Sequence, residues 1–358
     1  MPGMGTPAAG RGPNFLGLAD KVPGGSFAFV MATGIVSVDA ERQGFHRLAL
    51  ILFAINVAAF LVLFVALSLR LARSPADLLG EIVRHRTGVG YLTIVAGTAI
   101  LGNQTALLTA DRQVAAGLWL TACVLWAALV YAFFVGLTVR RTKPRLAAGL
   151  DGTWLLLTVA SQSLAVLGTH VASAFAHPDI VLYLSLCWFA LGGFFYAVVI
   201  ALILYRWLFE PMPAAQWTLA YWINMGAVAI TTLAGARLAE AAGADPLLTG
   251  LRPAVTAATI LAWSVATWWI PLLLALTVWR HAIGGVRLSY RLEYWSVVFP
   301  LGMYSAGTWT FVHATGARFL NVIPQAFLWI ALATWLATLG GMTGRAVGAV
   351  CPAGSHSK

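Results

Sequence analysis

Ten apolar stretches, each long enough to cross a lipid bilayer, fill nearly all of the 358 residues. A hydrocarbon core of about 30 Å requires roughly 20 consecutive apolar residues in a helix. The predicted spans cover residues 24–40, 48–69, 88–108, 114–138, 153–173, 180–205, 217–237, 253–278, 291–313 and 324–344. The sequence therefore predicts an all-α integral membrane protein, with one transmembrane domain (24–345) between a flexible N-terminal tail (1–23) and a C-terminal tail (346–358).

The charged residues are few and lie mainly on one side of the predicted membrane. They make up 9% of the chain, against about 25% in a soluble domain. With ten spans, sixteen Lys and Arg residues lie on the side that holds both termini and six on the other. Basic loops are typical of the cytoplasmic side, so we expect a bacterial inner-membrane protein with both termini in the cytoplasm. The net charge of +10 then reflects topology, and no nucleic-acid partner is expected.

Polar stretches alternate with uniformly apolar ones along the chain. The polar, odd-numbered stretches are centred near residues 32, 98, 163, 227 and 302. Intervals of roughly 65 to 75 residues predict five repeated helix pairs, each an inner helix followed by an outer one. Five inner helices in a ring would enclose a narrow central pore. An ordinary compact bundle, in which small residues only allow close helix contact, explains the same pattern.

The polar stretches supply residues that could line such a pore. Hydroxyl and amide groups can replace part of an ion's hydration shell, and glycine exposes backbone dipoles. The candidates are Thr33, Gly34, Gly97, Thr98, Ser161, Ser163, Asn224, Gly226 and Gly302. Because glycine is also common where membrane helices pack, no single position is diagnostic.

No Asp, Glu, Lys or Arg lies near the middle of any predicted span. Proton relays and ion-coupled carriers usually place a carboxylate or a histidine at depth, so a neutral path favours passive flow over a pump. Asp39 and Glu293 lie at span ends, where a side chain can reach water. They are the candidates if transport is coupled to protons.

The sequence contains no pattern that indicates catalysis. It has no Walker phosphate-binding loop and no set of His and Cys residues spaced to bind a metal. It also has no membrane-embedded serine with a neighbouring base. We therefore expect neither enzymatic activity nor a metal or other cofactor.

Aromatic residues suggest two further interpretations. Six of the fifteen tryptophans lie at span ends, which is typical of an interfacial aromatic belt: Trp217, Trp222, Trp268, Trp269, Trp279 and Trp295. Phe299 differs, because it lies inside the ninth span directly before Pro300. Proline bends a helix, so the Phe299 ring could point into a pore and block it. From the pattern alone, core packing is the better interpretation.

Three segments carry a family resemblance. They are FAFVMATGIVS (27–37) in the first span, YWINMGAVAI (221–230) in the seventh and YWSVVFPLGMY (294–304) in the ninth. Each resembles the corresponding motif of the tellurite-resistance/dicarboxylate transporter family. That family includes bacterial tellurite-resistance proteins, malate and sulfite permeases, and the slow-type anion channels of guard cells.

The resemblance implies an architecture and a gate. It implies a quasi-fivefold ring of inner helices surrounded by the outer helices, with a separate pore in each protomer of a homotrimer. In the channel members a phenylalanine of the ninth span occludes the pore, and Phe299, next to Pro300, matches it.

Together these features predict membrane transport of a small anion through a neutral pore constricted by a phenylalanine. The anion could be a C4-dicarboxylate, sulfite, a tellurite-type oxyanion or a halide, because weak neutral donors discriminate poorly. Membrane lipid is the other expected partner. Two alternatives stay open. One is a proton-coupled C4-dicarboxylate permease that uses Glu293 or Asp39, and the other is a membrane sensor or scaffold that transports nothing.

Overall fold

The computed structural model describes residues 22–350, with side chains apart from those of Ala244 and residues 347–350. Within this part of the chain all regular structure is helical and there is no strand. The predicted N-terminal tail (1–23) lies almost entirely outside the described residues. The predicted C-terminal tail (346–358) lies outside them beyond residue 350.

Ten long helices make up the described chain. They are α1 (Ala28–Arg42), α2 (His46–Arg73), α3 (Leu92–Leu108), α4 (Arg112–Val139), α5 (Leu156–Val171), α6 (Pro178–Phe209), α7 (Ile223–Ala241), α8 (Pro246–Val278), α9 (Trp295–Thr315) and α10 (Val322–Val350). Two short helices, Pro75–Ile82 and Leu146–Gly149, lie in the connections after α2 and α4, and a π-helical turn, Trp279–Ile283, follows α8.

Local sequence signals set several of the helix ends. The Asp111 carboxylate accepts hydrogen bonds from the Gln113 and Val114 backbone amides at the start of α4, at 3.1 and 3.0 Å. Such a cap satisfies amides that have no partner inside the helix. Asp245 caps α8 in the same way. At the other end of α9, Gly316 adopts a left-handed conformation (φ 76°), which glycine adopts without the Cβ clash that other residues meet.

Eight helical segments are long and apolar enough to cross a membrane. They are His46–Arg73, Gly88–Leu108, Arg112–Val139, Gly152–Ala174, Pro178–Phe209, Leu219–Ala241, Pro246–Ile283 and Arg318–Ala346. Helices α1 and α9, at the first and ninth predicted spans, are not among the eight. The eight segments alone indicate a multi-pass membrane protein.

Burial alternates along the chain as strongly as hydropathy does. In α3, α5 and α7 most side chains are buried inside the protein, whereas in α2, α4, α6, α8 and α10 only about one in four is. Helices α1 and α9 are also mostly buried. A helix that is apolar all round, with most of its side chains exposed on the protein surface, suits a lipid environment. The odd-numbered helices are therefore the inner ones.

The inner helices contact one another in a closed circuit. Helix α1 contacts α3, α3 contacts α5, α5 contacts α7, α7 contacts α9, and α9 contacts α1 again. Each inner helix also packs on the even-numbered helix that follows it. That outer helix in turn contacts the next inner helix of the circuit. We refer to each inner helix and the outer helix that follows it as a pair.

A tight 3₁₀ turn precedes every inner helix. The five turns are Gly24–Phe27, Gly88–Tyr91, Gly152–Leu155, Leu219–Trp222 and Leu292–Tyr294. Turns that follow each other in sequence also contact each other in space, from the first to the fifth. All five inner helices therefore begin at one face of the molecule, which we term the start face. We term the opposite face, where they end, the far face.

The tryptophans at the predicted span ends do not form a belt. Trp217, Trp269 and Trp295 are at most 1% exposed, and Trp222 is also buried, whereas Trp268 is exposed. The indole Nε1 of Trp269 donates to the Tyr196 hydroxyl at 2.9 Å. The expectation of an interfacial belt was wrong for these four residues, because inner–outer helix contacts bury them inside the protein.

Candidate functional site

A cavity of about 130 Å³ opens at the start face between the beginnings of the five inner helices. Every inner helix, with the 3₁₀ turn before it, contributes to its wall. Representative lining residues are Met31 of α1, Thr93 of α3, Leu156 of α5, Ile223 of α7 and Phe299 of α9. The cavity lies on the axis that the closed circuit of helices surrounds.

A second, much smaller cavity lies on the same axis toward the far face. Its volume is about 20 Å³, enough for a single water molecule. It too is lined by all five inner helices, with Val38 of α1, Asn103 of α3, Ser163 of α5, Ile230 of α7 and Met303 of α9 in its wall. Residues from later turns of each helix line this cavity, so the five inner helices run parallel.

A closed section separates the two cavities. Helix α9 passes from Phe299 at the first cavity to Met303 at the second, and α7 passes from Ile223 to Ile230. At a rise of about 1.5 Å per residue, four to seven residues correspond to roughly 6 to 10 Å. No charged residue lies in the five stretches between the cavities. The axis is therefore closed by uncharged side chains over about one to two helical turns.

Phe299 stands at the boundary between the start-face cavity and the closed section. Its ring lines the cavity and is 2% exposed. Pro300 follows it inside α9 and packs against α7, where a Cβ added to Gly226 would meet the Pro300 ring at 2.8 Å. Glycine at position 226 thus allows α7 and α9 to approach each other behind the phenylalanine.

The predicted pore-lining residues fall into two groups. Ser163 lines the far-face cavity. Others contact neighbouring helices: the Trp335 indole donates to the Thr33 hydroxyl at 2.9 Å, and the Trp126 indole donates to the Ser161 hydroxyl at 3.0 Å. In each case a tryptophan of an outer helix is joined to the next inner helix.

The glycine candidates also lie at helix contacts. A Cβ on Gly34 would meet Ile100 at 2.4 Å, one on Gly97 would meet Val30 at 3.3 Å, and one on Gly302 would meet Ile35 at 3.0 Å. These short distances give the glycines a packing role between inner helices.

The other two polar candidates are buried. Thr98 donates to the Ile94 carbonyl of its own helix at 2.7 Å. The Asn224 amide is fully buried, and neither of its polar atoms has a hydrogen-bond partner among the described residues. A role for any of these residues in permeation stays a prediction.

The two candidate coupling residues lie at opposite faces. Glu293 lines the start-face cavity. Asp39, near the end of α1, is fully buried and does not reach water, in contrast to the expectation from its position at a span end. Its Oδ1 accepts a hydrogen bond from Gln43 Nε2 at 3.0 Å, and its Oδ2 has no partner among the described residues.

Four arginines that the sequence analysis treated only as topology signals fix the start face. Arg70 of α2 donates to the Val22 carbonyl at 3.1 Å, and Arg206 of α6 donates to the Leu150 carbonyl. Arg280, after α8, donates to the Trp217 carbonyl, and Arg345 of α10 donates to the Tyr290 carbonyl at 2.8 Å.

The four contacts share one geometry. In each, an arginine at the end of an outer helix holds the backbone just before the inner helix of the same pair. We call these four residues the arginine clamps. The pair α3–α4 has no clamp among the described hydrogen bonds. The equivalent spacing in the sequence, with an arginine about 45 to 60 residues after the start of a turn, was the signal that could have found them.

A fifth arginine marks the far face. Arg42 of α1 lines the far-face cavity, together with His170 of α5. Its Nη1 donates to the Thr310 hydroxyl of α9 at 2.8 Å, and its guanidinium lies over the Trp309 ring at 5.6 Å. Charged donors of this kind favour anions over cations at the cavity. Between residues 22 and 350 no group of three or more His, Cys, Asp or Glu side chains could hold a metal ion.

Comparison with known proteins identifies the family of the chain. Residues 21–343 match the SLAC1 family model, described as a voltage-dependent anion channel. Two uncharacterized transporters of Methanocaldococcus jannaschii are 22% and 23% identical over 87% of this chain and about nine-tenths of their own length. An uncharacterized membrane protein of Mycobacterium tuberculosis is 39% identical over 149 residues, which is 42% of this chain and 75% of that protein.

The family match covers all ten long helices apart from the last residues of α10, and the two archaeal relatives cover most of the same region. The three motifs of the first, seventh and ninth spans lie inside the matched region. The chain is therefore a member of the tellurite-resistance/dicarboxylate transporter family, to which the slow-type anion channels belong.

Proposed function

We propose that the protein conducts small anions along the axis between the five inner helices. In this proposal all ten long helices cross the membrane, as five inner–outer pairs arranged with quasi-fivefold symmetry. The observation that carries it is the pair of axial cavities, each lined by all five inner helices and separated by a short uncharged section. The family supports anion transport in general and favours a channel or transporter over an enzyme.

Basic residues at the two faces of the protein support an anion as the permeant species. The arginine clamps surround the start face, and Arg42 lies at the far-face cavity. Arg206 and Arg280 are 4% exposed, and no carboxylate pairs with either among the described residues. Unneutralised positive charge at both ends would raise the local concentration of anions.

The closed section supports a passive and weakly selective path. Uncharged side chains and backbone dipoles bind an ion loosely, which suits flux and discriminates poorly between anions. We therefore propose a substrate range of small anions that includes a C4-dicarboxylate, sulfite, a tellurite-type oxyanion or a halide. Phe299, at the boundary of the closed section, is the proposed gate.

The proposed membrane orientation and oligomeric state follow from the distribution of charge and from the family. The start face carries most of the basic residues, so we place it in the cytoplasm of a bacterial inner membrane. We also propose a homotrimer in which each protomer has its own path.

Anion flux in proteoliposomes tests the proposal. Chloride, nitrate, sulfite and malate would be compared under an imposed voltage at equal pH on both sides, and then under an imposed pH gradient without voltage. We expect voltage-driven anion flux that the pH gradient leaves unchanged. Absence of flux for every anion, in protein that is folded and inserted, would overturn transport and favour a membrane sensor or scaffold.

A proton-coupled dicarboxylate permease is the second candidate, because Glu293 lines the start-face cavity and Asp39 is buried, with one carboxylate oxygen that has no hydrogen-bond partner in the described part of the chain. In that case malate flux would follow the pH gradient, and Glu293→Gln or Asp39→Asn would abolish this dependence. Malate flux that responds to voltage alone and is unchanged in both variants would exclude coupling.

A further inference from the structure

A polar pocket of about 530 Å³ opens at the far face, beside the axial path and outside it. It lies between the end of α1, the end of α9 and the beginning of α10. Its volume falls within the range of small-molecule sites, roughly 300 to 1,000 Å³. We call it the flank pocket.

Among the described residues that line the flank pocket, Arg42 is the one arginine or lysine, His313 is the one histidine, and none is Asp or Glu. In the part of the chain that the structure describes, the hydrogen bonds of Arg42 are both made by Nη1, to the Thr310 hydroxyl at 2.8 Å and the Ala306 carbonyl at 3.5 Å. None of the three ion pairs in the described chain includes it. A guanidinium has five N–H donors, so Nη2 and Nε are available to a ligand.

The remaining walls are amides and flat aromatic rings. Asn321 and Gln325 line the pocket with amide groups. Trp309 stacks on His313 with ring centroids 3.8 Å apart, and Trp329 packs edge-on against Phe45 at 5.1 Å. Two aromatic pairs beside one cation match a ligand in which a negatively charged group is attached to a flat apolar body. The negative group would contact the guanidinium, and the flat body would contact the aromatic rings.

Asp39 is an acidic side chain behind the wall of the pocket. It is fully buried, and Gln43 stands between it and the pocket, donating from Nε2 to Asp39 Oδ1 at 3.0 Å and to the Pro324 carbonyl at 3.0 Å. The side-chain NH2 group of Gln43 is thus already hydrogen-bonded within the protein. The charge that faces the pocket is that of Arg42.

We propose that the flank pocket is a binding site for a small aromatic carboxylate, with the carboxylate on Arg42 and the ring between Trp309 and Trp329. This site does not depend on transport through the axis. Arg42 also lines the far-face cavity, so a ligand in the flank pocket and an anion in the axial path would share one side chain.

The test is isothermal titration calorimetry of the full chain in detergent with benzoate. Benzamidine, which has the same ring and a positive charge, and acetate, which lacks the ring, are the comparison ligands. We expect saturable benzoate binding, with acetate weaker and benzamidine silent. Arg42→Gln should weaken benzoate about tenfold or more, since it removes a charge-assisted bidentate contact.

Arg47→Gln is the matched control, because Arg47 is exposed near the same face and lines no part of the pocket. It should bind benzoate as the wild type does. Trp329→Leu, at a side chain that is 50% exposed, tests the ring contact without emptying the core and should also weaken binding. It serves as the second variant if Arg42→Gln does not fold.

Three results would overturn the proposal. They are no saturable benzoate binding, equal binding of benzamidine, and unchanged affinity in both Arg42→Gln and Trp329→Leu. A phospholipid headgroup carries a similar negative charge, so the titration is repeated after adding phosphatidylglycerol. Complete loss of benzoate binding at equimolar lipid would assign the pocket to the headgroup and overturn the free carboxylate as its ligand.

Discussion

Phe299 lies where a small movement of its side chain would change the width of the proposed path. Its ring lines the start-face cavity at the edge of the closed section, and the following residue, Pro300, packs on Gly226 of α7. The proline removes one backbone hydrogen bond of α9, which loosens the helix at this position. The ring is thus held by packing on one side and faces open volume on the other.

Replacing Phe299 with alanine should raise passive anion conductance, because it removes a ring from the proposed constriction. An increase of about tenfold would correspond to a barrier lower by about 1.4 kcal/mol. The measurement is voltage-driven chloride flux in proteoliposomes. Phe311→Ala is the control, since Phe311 is equally buried in α9 but stacks on Trp263 of α8. Equal flux in wild type and Phe299→Ala would contradict the gate.

Glu81, in the short helix after α2, joins the first arginine clamp. Arg70 Nη2 donates to its Oε1 at 2.6 Å, and the Tyr91 hydroxyl donates to its Oε2 at 2.6 Å. Burial alone would raise the pKa of Glu81, but the hydrogen bonds from Arg70 and Tyr91 and the Arg70 charge hold that pKa below its ordinary value of 4.5. The carboxylate is therefore more stable in the folded protein than in the unfolded chain.

This shift predicts a stability change in acid. A depressed folded-state pKa contributes stability that is fully present above pH 4.5 and is lost as the pH falls through the folded value. The thermal midpoint of the wild type should drop in that window, and Glu81→Gln should reduce the drop while being less stable at pH 7. Thermal scans in detergent from pH 7 to pH 3 measure both effects. An identical pH profile in the variant would refute the assignment.

The arginine clamps explain how each outer helix fixes the beginning of its inner partner. Arg206 of α6 is 4% exposed and donates both to the Leu150 carbonyl before α5 and to the Tyr221 hydroxyl of the turn before α7, the latter at 2.8 Å. One side chain thereby connects two consecutive pairs. Arg70 does the same through the Val22 carbonyl and Tyr91. The turns that border the start-face cavity are positioned by these contacts.

Arg206→Gln should lower thermal stability, since hydrogen bonds to a charged group contribute about 1.5–3 kcal/mol each and glutamine cannot reach both acceptors. Arg206→Lys should recover only part of the loss, because lysine lacks the planar fork. Apparent melting temperature by tryptophan fluorescence is the readout. Arg73→Gln removes an exposed charge at the same face and should leave the midpoint unchanged. A midpoint for Arg206→Gln equal to that of Arg73→Gln would exclude the clamp.

The assembled protein is a closed circuit of inner helices inside a layer of outer ones. Every outer helix contacts two inner helices, its own partner and the next. The exposed outer surface carries large apolar side chains such as Val124, Phe194 and Leu261. Such a surface is stabilised by contact with lipid or with other protomers.

A homotrimer predicts a particle mass of about 114 kDa, three times the chain mass of 38.1 kDa, once detergent is subtracted. Light scattering coupled to size-exclusion chromatography in a mild detergent measures it. A protein mass equal to that of one chain or two would contradict the trimer, while leaving the axial path of each protomer to be tested by flux.

Several features were predictable because they depend on residue order alone. The helical composition, the alternation of polar and apolar helices and their period follow from hydropathy. The five turns begin at residues 24, 88, 152, 219 and 292, close to the predicted period. The family followed from motifs that stay contiguous in the chain, such as residues 294–304.

The misinterpretations involve residues whose partners lie far away in sequence. By position Trp295 is expected at the interface, but it is fully buried and packs on Phe29. Asp39 is expected to reach water, but it is buried behind Gln43, whose Nε2 also donates to the Pro324 carbonyl 281 positions away. Among the residues with a predicted pore role, Ser163 and Phe299 line the axial cavities, while Thr33 is bonded to Trp335, 302 positions away. Side-chain type cannot tell a lumen from a helix contact, since both require small polar groups.

Hydropathy and its period were enough to specify a helical membrane protein with alternating inner and outer helices, because the bilayer selects segments one at a time. The closed circuit, the two axial cavities and the arginine clamps depended on the tertiary structure, because each is formed by residues that are far apart in the sequence. Arg206 shows the difference most directly. From the sequence its charge predicts only a side of the membrane, and its contacts with Leu150 and Tyr221 are what give it a structural role.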